Sequence, residues 1–278
     1  MIPFTKMHGL GNDYIYVNAL ERDIPDPEKL SIVMSDRHFG IGSDGLILIL
    51  PSDRGDFRMR MFNSDGSESE MCGNGIRCFA KYVYDRRLTD KTVMDIETGA
   101  GMKNIVLTVK DGKATHARVD MGVPEFEREK IPMRGNPGQV RDEEIELPDG
   151  TKVRITAVSM GNPHAVVYVD DADKYPVEKV GNAVENSPLF PRRTNVEFVQ
   201  ILSESEVIQR TWERGAGETL ACGTGASAVC AAGVLTGRTL RKITSNLRGG
   251  SLSLEWAENG HIFMTGPACE VFSGVWDI

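Results

Sequence analysis

The sequence predicts an α/β (α+β) protein of two related domains, each with a β-sheet wrapped around a helix. Three observations predict it: the chain repeats itself at a fixed offset, strand-like stretches outnumber helical ones, and one helical segment is apolar on every side. The length agrees, because 278 residues is about two domains at roughly 150 residues each.

The repeat comes first because it fixes the domain organisation. Gly11-Asn12 recurs as Gly161-Asn162, and Cys72-Gly73-x-Gly75 recurs as Cys222-Gly223-x-Gly225, both 150 positions on (161 − 11, 222 − 72). Laying residues 11–75 on 161–225 without a gap gives eleven identities in sixty-five positions. Among them are Val17/Val167, Glu28-Lys29/Glu178-Lys179, Arg60/Arg210 and Glu68/Glu218, with Phe62 opposite Trp212. The implied unit ends in a Cys-Gly turn that opens a helix. We expect an N-terminal domain over 1–120, with 268–278 available to complete it, and a C-terminal domain over 121–267. If the copies face each other about a pseudo-two-fold axis, Cys72 and Cys222 approach one cleft from opposite sides.

Strands are expected where β-branched and aliphatic residues cluster: 14–17, 46–50, 57–62, 104–109, 165–169, 196–201 and 207–212. Helices are expected over 27–35, 76–87, 177–186 and 226–236. Ala226 to Leu235 is apolar nearly all round, which a surface helix cannot tolerate, so this helix should run through the middle of its domain. Its small residues let a sheet close around it. The charged, Pro- and Gly-rich stretch from Glu125 to Gly150 reads as the connection between the copies. The last strand is placed to return to either sheet.

Composition narrows the function. Lys and Arg number 32 against 40 Asp and Glu, a net charge of -8. That lacks the basic footprint of a nucleic-acid binder. The same apolar run is about half of the roughly 20 residues a membrane-spanning helix needs. The N-terminus shows no basic segment leading into an apolar one, so a cytoplasmic protein with no membrane partner is expected. Five cysteines, an odd number, argue for free thiols rather than a disulfide framework.

Two of those cysteines stand out. A thiol immediately before a helix sits beside unpaired backbone N–H groups and the positive end of the helix dipole, which favours thiolate. The glycines that follow Cys72 and Cys222 remove side chains, so the amides of Gly73, Asn74 and Gly75 and of Gly223, Thr224 and Gly225 can cradle an anion. A carboxylate held there points to chemistry at an amino-acid α-carbon. Deprotonation spreads negative charge onto the carboxylate, and preorganised N–H donors stabilise it. One sulfur removes a proton from one face while the other returns one to the opposite face. Cys78, Cys230 and Cys269 lack that context and are expected to be buried small apolar residues. The spacings match no zinc pair and no Cys-x-x-Cys, and neither GxGxxG nor GxxxxGK[ST] occurs. Neither a metal nor a cofactor is expected.

Four segments, 7–18 (MHGLGNDYIYVN), 61–83 (MFNSDGSESEMCGNGIRCFAKYV), 160–171 (MGNPHAVVYVDD) and 212–228 (WERGAGETLACGTGASA), resemble the diaminopimelate epimerase family, in its order and nearly end to end. The resemblance implies two pseudo-symmetric domains, each a mixed sheet rolled around a central helix. It also implies a pyridoxal-independent enzyme interconverting LL- and meso-diaminopimelate, and a homodimer. By resemblance Cys72 and Cys222 are the catalytic acid/base pair, and Asn12, Asn63, Asn162, Asn195, Glu213 and Arg214 bind substrate. Gly73, Asn74, Gly223 and Thr224 belong to its carboxylate cradle. Asn offers both donor and acceptor to a zwitterion, and Arg214 can clamp a carboxylate.

By themselves Asn12, Asn63 and Asn162 are ordinary turn residues. The offset sets Asn12 on Asn162, Asn63 on Glu213 and Gly45 on Asn195, as expected of two related sites specialised for the reacting and distal ends. His164 is expected to support the site by bonding Glu213 or setting the thiols' protonation, or else to be structural. Some family members carry Gln where this chain has Gly45, so any contact made there must come from water or Asp44. The alternative reading is another pyridoxal-independent racemase or isomerase of the same superfamily, proline racemase-like. An amino-acid-binding module without chemistry stands further off, because both thiols are present.

Overall fold

A computed structural model describes residues 1–277. The chain divides into two compact units, residues 1–120 with 265–278, and residues 121–264.

In the first unit, β1 (Ile2–Gly9) turns through Leu10 and Gly11, both at positive φ (58° and 86°), into antiparallel β2 (Asn12–Asn18). The geometry suits a tight hairpin turn with glycine second. Helix α1 (Pro27–Ser35) carries Pro at its first position, where the missing N–H costs nothing, and Glu28 in its first turn, at the positive end of the dipole. It crosses to β3 (Gly45–Leu50), parallel to β2 and antiparallel to β4 (Phe57–Asn63). Flanked on both sides, β3 buries Leu46 through Ile49. A short β5 (Glu68–Ser69) leads to α2 (Gly73–Asp85), then β6 (Val93–Thr98), β7 (Gly101–Lys110) and β8 (Lys113–Gly122). Here β6 lies parallel to β4, and β7 antiparallel to β6 and β8.

The second unit repeats this plan. A short β9 (Glu143–Glu146) pairs with β10 (Lys152–Ser159), and β10 is antiparallel to β11 (Pro163–Tyr168). Helix α3 (Val177–Glu185) crosses to β12 (Asn195–Ser203), parallel to β11 and antiparallel to β13 (Glu206–Glu213). Then come β14 (Gly217–Thr219), α4 (Gly223–Leu235), β15 (Lys242–Leu247), β16 (Gly250–Trp256), β17 (Ile262–Pro267) and β18 (Cys269–Trp276). Strand β18 joins the first unit by pairing antiparallel with β1, as β9 pairs with β10 in the second. Helices α1 and α3, and α2 and α4, begin and end 150 residues apart.

Each unit is a mixed sheet around a helix. Helix α2 lies against β1, β2, β3 and β7, and α4 against β10, β11, β12, β15 and β16. Helix α4 buries every residue from Gly225 to Gly233, so the all-apolar segment is indeed internal. No helix among the described residues is long and apolar enough to cross a membrane.

Two expectations fail. The stretch from Glu125 to Gly150 is not a mere connection: Ile131, Met133, Val140, Ile145 and Leu147 are buried in the core of the second unit. Its charges, apart from the buried Arg128, sit at positions open to water and mask an apolar residue every few places. Cys269 is exposed, because β18 turns it outward opposite His8 on β1, whereas Cys78 and Cys230 are buried as expected.

Close packing around α4 has a measurable consequence. A Cβ at Gly233 would fall 2.1 Å from Thr239 Oγ1 and 3.1 Å from its Cβ. Ala for Gly in a helix gains about 1 kcal/mol, but overpacking costs about 1–3 kcal/mol. Gly233→Ala should therefore lower stability in urea denaturation, and Thr239→Ala in the same chain should restore it.

Candidate active site

Each unit carries a half site built on the same local device. Cys72 and Cys222 are the N-caps of α2 and α4, with nearly equal extended backbones (φ/ψ −132°/122° and −125°/115°). Each Sγ accepts the N–H of the third helical residue, Gly75 at 3.3 Å and Gly225 at 3.4 Å. Sulfur thus takes the place usually filled by a Ser or Asp oxygen, at the positive end of the helix dipole.

Around Cys72, Asn12 Oδ1 lies 3.3 Å from Sγ, which donates to it as a thiol, and also accepts Asn74 Nδ2 at 3.3 Å. Asn12 is held by Asp44, whose Oδ2 accepts Asn12 Nδ2 at 2.7 Å and the Asp13 N–H at 3.0 Å. Asp44, beside Gly45, therefore anchors the asparagine. Gly45 itself has no room for a side chain, since a Cβ there would stand 2.0 Å from Phe62 O. Tyr14 is buried beside the sulfur, and burial first, then the nearby Cys72, pushes its phenol well above the ordinary value. Beneath the turn, the wholly buried Arg77 donates to Gly73 O (3.1 Å) and Pro267 O (3.2 Å). Asn63 lies at the end of β4 and donates to Ser67 Oγ at 2.9 Å.

The second half site has the opposite polarity. Ser227 stands 150 residues after Arg77 and makes the matching bond to Gly223 O at 2.9 Å. Cys222, 6% exposed, has its thiol pushed well above the ordinary value, by burial first and then by the carboxylates of Glu213 and Glu197. Burial also raises Glu213, although its Oε1 accepts the Thr219 hydroxyl at 2.6 Å and its carboxyl is in hydrogen-bond contact with Cys222. Thr224 Oγ1 lies 3.4 Å from Cys222 Sγ and accepts from Asn162 Nδ2 at 3.3 Å.

Of the alternatives expected for His164, the bond to Glu213 is not made. Its Nδ1 meets Glu197 Oε1 at 2.8 Å and its Nε2 meets Asn162 Oδ1 at 3.0 Å, with His164 and Glu197 both fully buried. Sequence reading missed Glu197, which stands 150 residues after apolar Ile47 inside an apolar strand; the break in that alignment was the available signal. Asn195 donates to Pro163 O (3.0 Å) and accepts the Arg214 N–H (2.9 Å), so it fixes the backbone that presents Arg214. The Arg214 guanidinium is exposed and bonds Arg192 O at 3.1 Å. The structure thus groups Asn12, Gly73 and Asn74 around Cys72, and Asn162, His164, Glu213, Gly223 and Thr224 around Cys222. Asn63, Asn195 and Arg214 stand apart from both sulfurs in the contacts they make. Among the described residues no group of three or more His, Cys, Asp or Glu could hold a metal ion.

The fold of this chain is shared by solved structures of low sequence identity. A phenazine biosynthesis protein from Bacillus anthracis is similar over 100% of this chain and 99% of its own, with TM-score 0.72 and 18% identity. A hydroxyproline epimerase from Agrobacterium vitis is similar over 98% and 90%, with TM-score 0.68 and 16% identity. Sequence narrows the class. The diaminopimelate epimerase model matches residues 4–127 and 156–271. Diaminopimelate epimerases from Acetivibrio thermocellus and Methanococcus maripaludis are 57% and 56% identical over 276 residues, covering 99% of this chain and 98% and 99% of theirs. The chain belongs to the diaminopimelate epimerase family.

The polarity of the half sites orders thiol reactivity. At neutral pH an alkylating reagent should modify exposed Cys269 and half-buried Cys72 well before Cys222, Cys78 or Cys230, the last two with thiols pushed up to about 12 by burial. Removing a negative charge beside Cys222 favours its thiolate, so Glu213→Gln should bring Cys222 alkylation to lower pH. Peptide mass mapping reads both.

Proposed function

We propose that this enzyme interconverts LL- and meso-diaminopimelate, with Cys72 and Cys222 moving a proton across one α-carbon. The observation that carries the reading is the sulfur N-cap made twice, once in each copy of the duplicated unit, in a chain of this family. A thiolate on one face takes the α-proton and becomes a thiol, and the electron pair left on carbon spreads into the carboxylate. The opposite thiol gives its proton to that carbon and becomes the thiolate. Atoms balance, the configuration inverts, and the enzyme ends with its protonation reversed.

The residues named above supply what the step needs. Backbone N–H groups of the two Cys-Gly turns face the developing dianionic carboxylate, and Asn12 and Asn162 beside the sulfurs bind the reacting end. Cys222, held as a thiol by burial and two carboxylates, is the donor for the epimer whose α-hydrogen faces Cys72; the roles exchange in reverse. Asn63, Asn195 and Arg214 read the distal amino-acid end, with Arg214 clamping its carboxylate. Acid, base and anion cradle all come from the chain, so no cofactor is called for. We place the enzyme in the cytoplasm as a homodimer. Self-association is supported by Val271, Phe272 and Val275 on β18, which are 53%, 44% and 59% exposed.

Conversion of LL- to meso-diaminopimelate by the purified chain, followed by chiral chromatography from either epimer, tests the reading. Turnover of proline or hydroxyproline but not diaminopimelate would favour the alternative substrate. Cys72→Ala and Cys222→Ala should each lower turnover in both directions by at least about 100-fold, and full turnover by either variant contradicts the scheme. The rate should be bell-shaped in pH, since one sulfur must be charged and the other neutral. Its alkaline limb should move down in Glu213→Gln, because loss of that negative charge eases ionisation of Cys222.

A further inference from the structure

A buried carboxylate that neither substrate nor backbone explains sits behind the second half site. Glu197 on β12 is fully buried; its Oε1 meets His164 Nδ1, and its Oε2 has no hydrogen-bond partner. Burying such a charge is expensive unless it is paired. Gly225 leaves it room, since a Cβ there would lie 2.6 Å from Glu197 Oε1. In the first unit the matching glycine, Gly75, instead faces the Ile47 side chain. The carboxylate is therefore a specialisation of one copy, placed directly beneath the turn that carries Cys222.

From Glu197 a continuous chain of hydrogen bonds reaches the sulfur, through His164 (2.8 Å), Asn162 (3.0 Å), Thr224 (3.3 Å) and Cys222 (3.4 Å). Each link constrains the next. A carboxylate only accepts, so His164 Nδ1 must donate to it. Asn162 Oδ1 only accepts, so His164 Nε2 must donate as well. That leaves the Asn162 amide N–H directed at Thr224 Oγ1, and the Thr224 hydroxyl with its single proton free to point at Cys222 Sγ. When Cys222 gives up its proton, the new thiolate has two donors, Thr224 O–H and Gly225 N–H.

We propose that Glu197 is a positioning residue for the epimerase reaction: by holding His164 as a donor at both ring nitrogens, it fixes the direction of the chain that aims the Thr224 hydroxyl at Cys222. Without its charge the chain can reverse. Thr224 then donates to the Asn162 carbonyl, and the Cys222 thiolate loses a donor while Cys72, in the other unit, is untouched. The inference rests on the two-sulfur reading above.

The test uses β-halo diaminopimelate analogues of each α-configuration, which need only one base: a thiolate takes the α-proton, the pair forms the Cα–Cβ double bond, and halide leaves. Cys222→Ala identifies the epimer whose hydrogen faces Cys222. Glu197→Gln, which keeps the shape and removes the charge, eases ionisation of Cys222 as Glu213→Gln does. Compared on the alkaline plateau, where that gain no longer counts, it should slow elimination from that epimer by on the order of 10- to 100-fold and leave the other within about two-fold, with Glu197→Asp between it and the parent enzyme. Equal slowing of both epimers, or of neither, overturns the proposal. Should Glu197→Gln fail to fold, Glu197→Asp decides: slowing confined to the epimer whose hydrogen faces Cys222 is expected, and equal slowing of both epimers, or of neither, overturns the proposal. Loss of the two-sulfur reading would appear separately, as a Cys222→Ala enzyme that eliminates from both epimers as the parent does, or from neither.

Discussion

Everything in the two half sites depends on a sulfur atom standing in for a helix-capping oxygen. The third N–H of a helix has no partner within the helix and must find one outside. In both units it finds cysteine Sγ, and the same bond that satisfies the helix places the sulfur at the positive end of the dipole. Stability and reactivity are thereby tied together. The cap needs an extended residue followed by a backbone open enough for an anion to approach, and the Cys-Gly-x-Gly pattern provides both. An internal helix follows from it too, because such a cap is useful only where a sheet wraps the helix end and limits water.

Duplication supplied two such sulfurs, and divergence made them unlike. One turn has a guanidinium beneath it, Arg77, where the other has Ser227; one has Ile47 and Asn63 where the other has Glu197 and Glu213. Identical sulfurs in identical fields would have no reason to differ in protonation. These substitutions place positive charge under Cys72 and negative charge beside Cys222, and the second environment holds its sulfur as a thiol. The price is a buried carboxylate in the second unit, offset by His164.

Much of this was legible in the sequence because the offset of 150 runs through the fold without a gap: α1 to α3, α2 to α4, and the starts of β3 and β12 all keep it. It exposed the two cysteines and changed the reading of Asn12 and Asn162 from turn residues to site residues. What escaped it was tertiary. Glu197 lies in a strand whose neighbours Val196 and Phe198 are core residues, and only its contact with His164 across parallel strands β11 and β12 shows its role. The stretch after Glu125 looked like a linker because its charges outnumber the five apolar residues that actually anchor it. Cys269 counts as a buried thiol by composition alone, which cannot tell which side of β18 faces water.

The central claim is that a different sulfur serves each face of the carbon. Conversion of one epimer in deuterated water, sampled early, tests it most directly. Two sulfurs predict that the product epimer carries deuterium at the inverted α-carbon while recovered starting material carries none. Product that retains the substrate's own hydrogen, or starting material labelled as fast as product, would mean one base working both faces and would contradict the account.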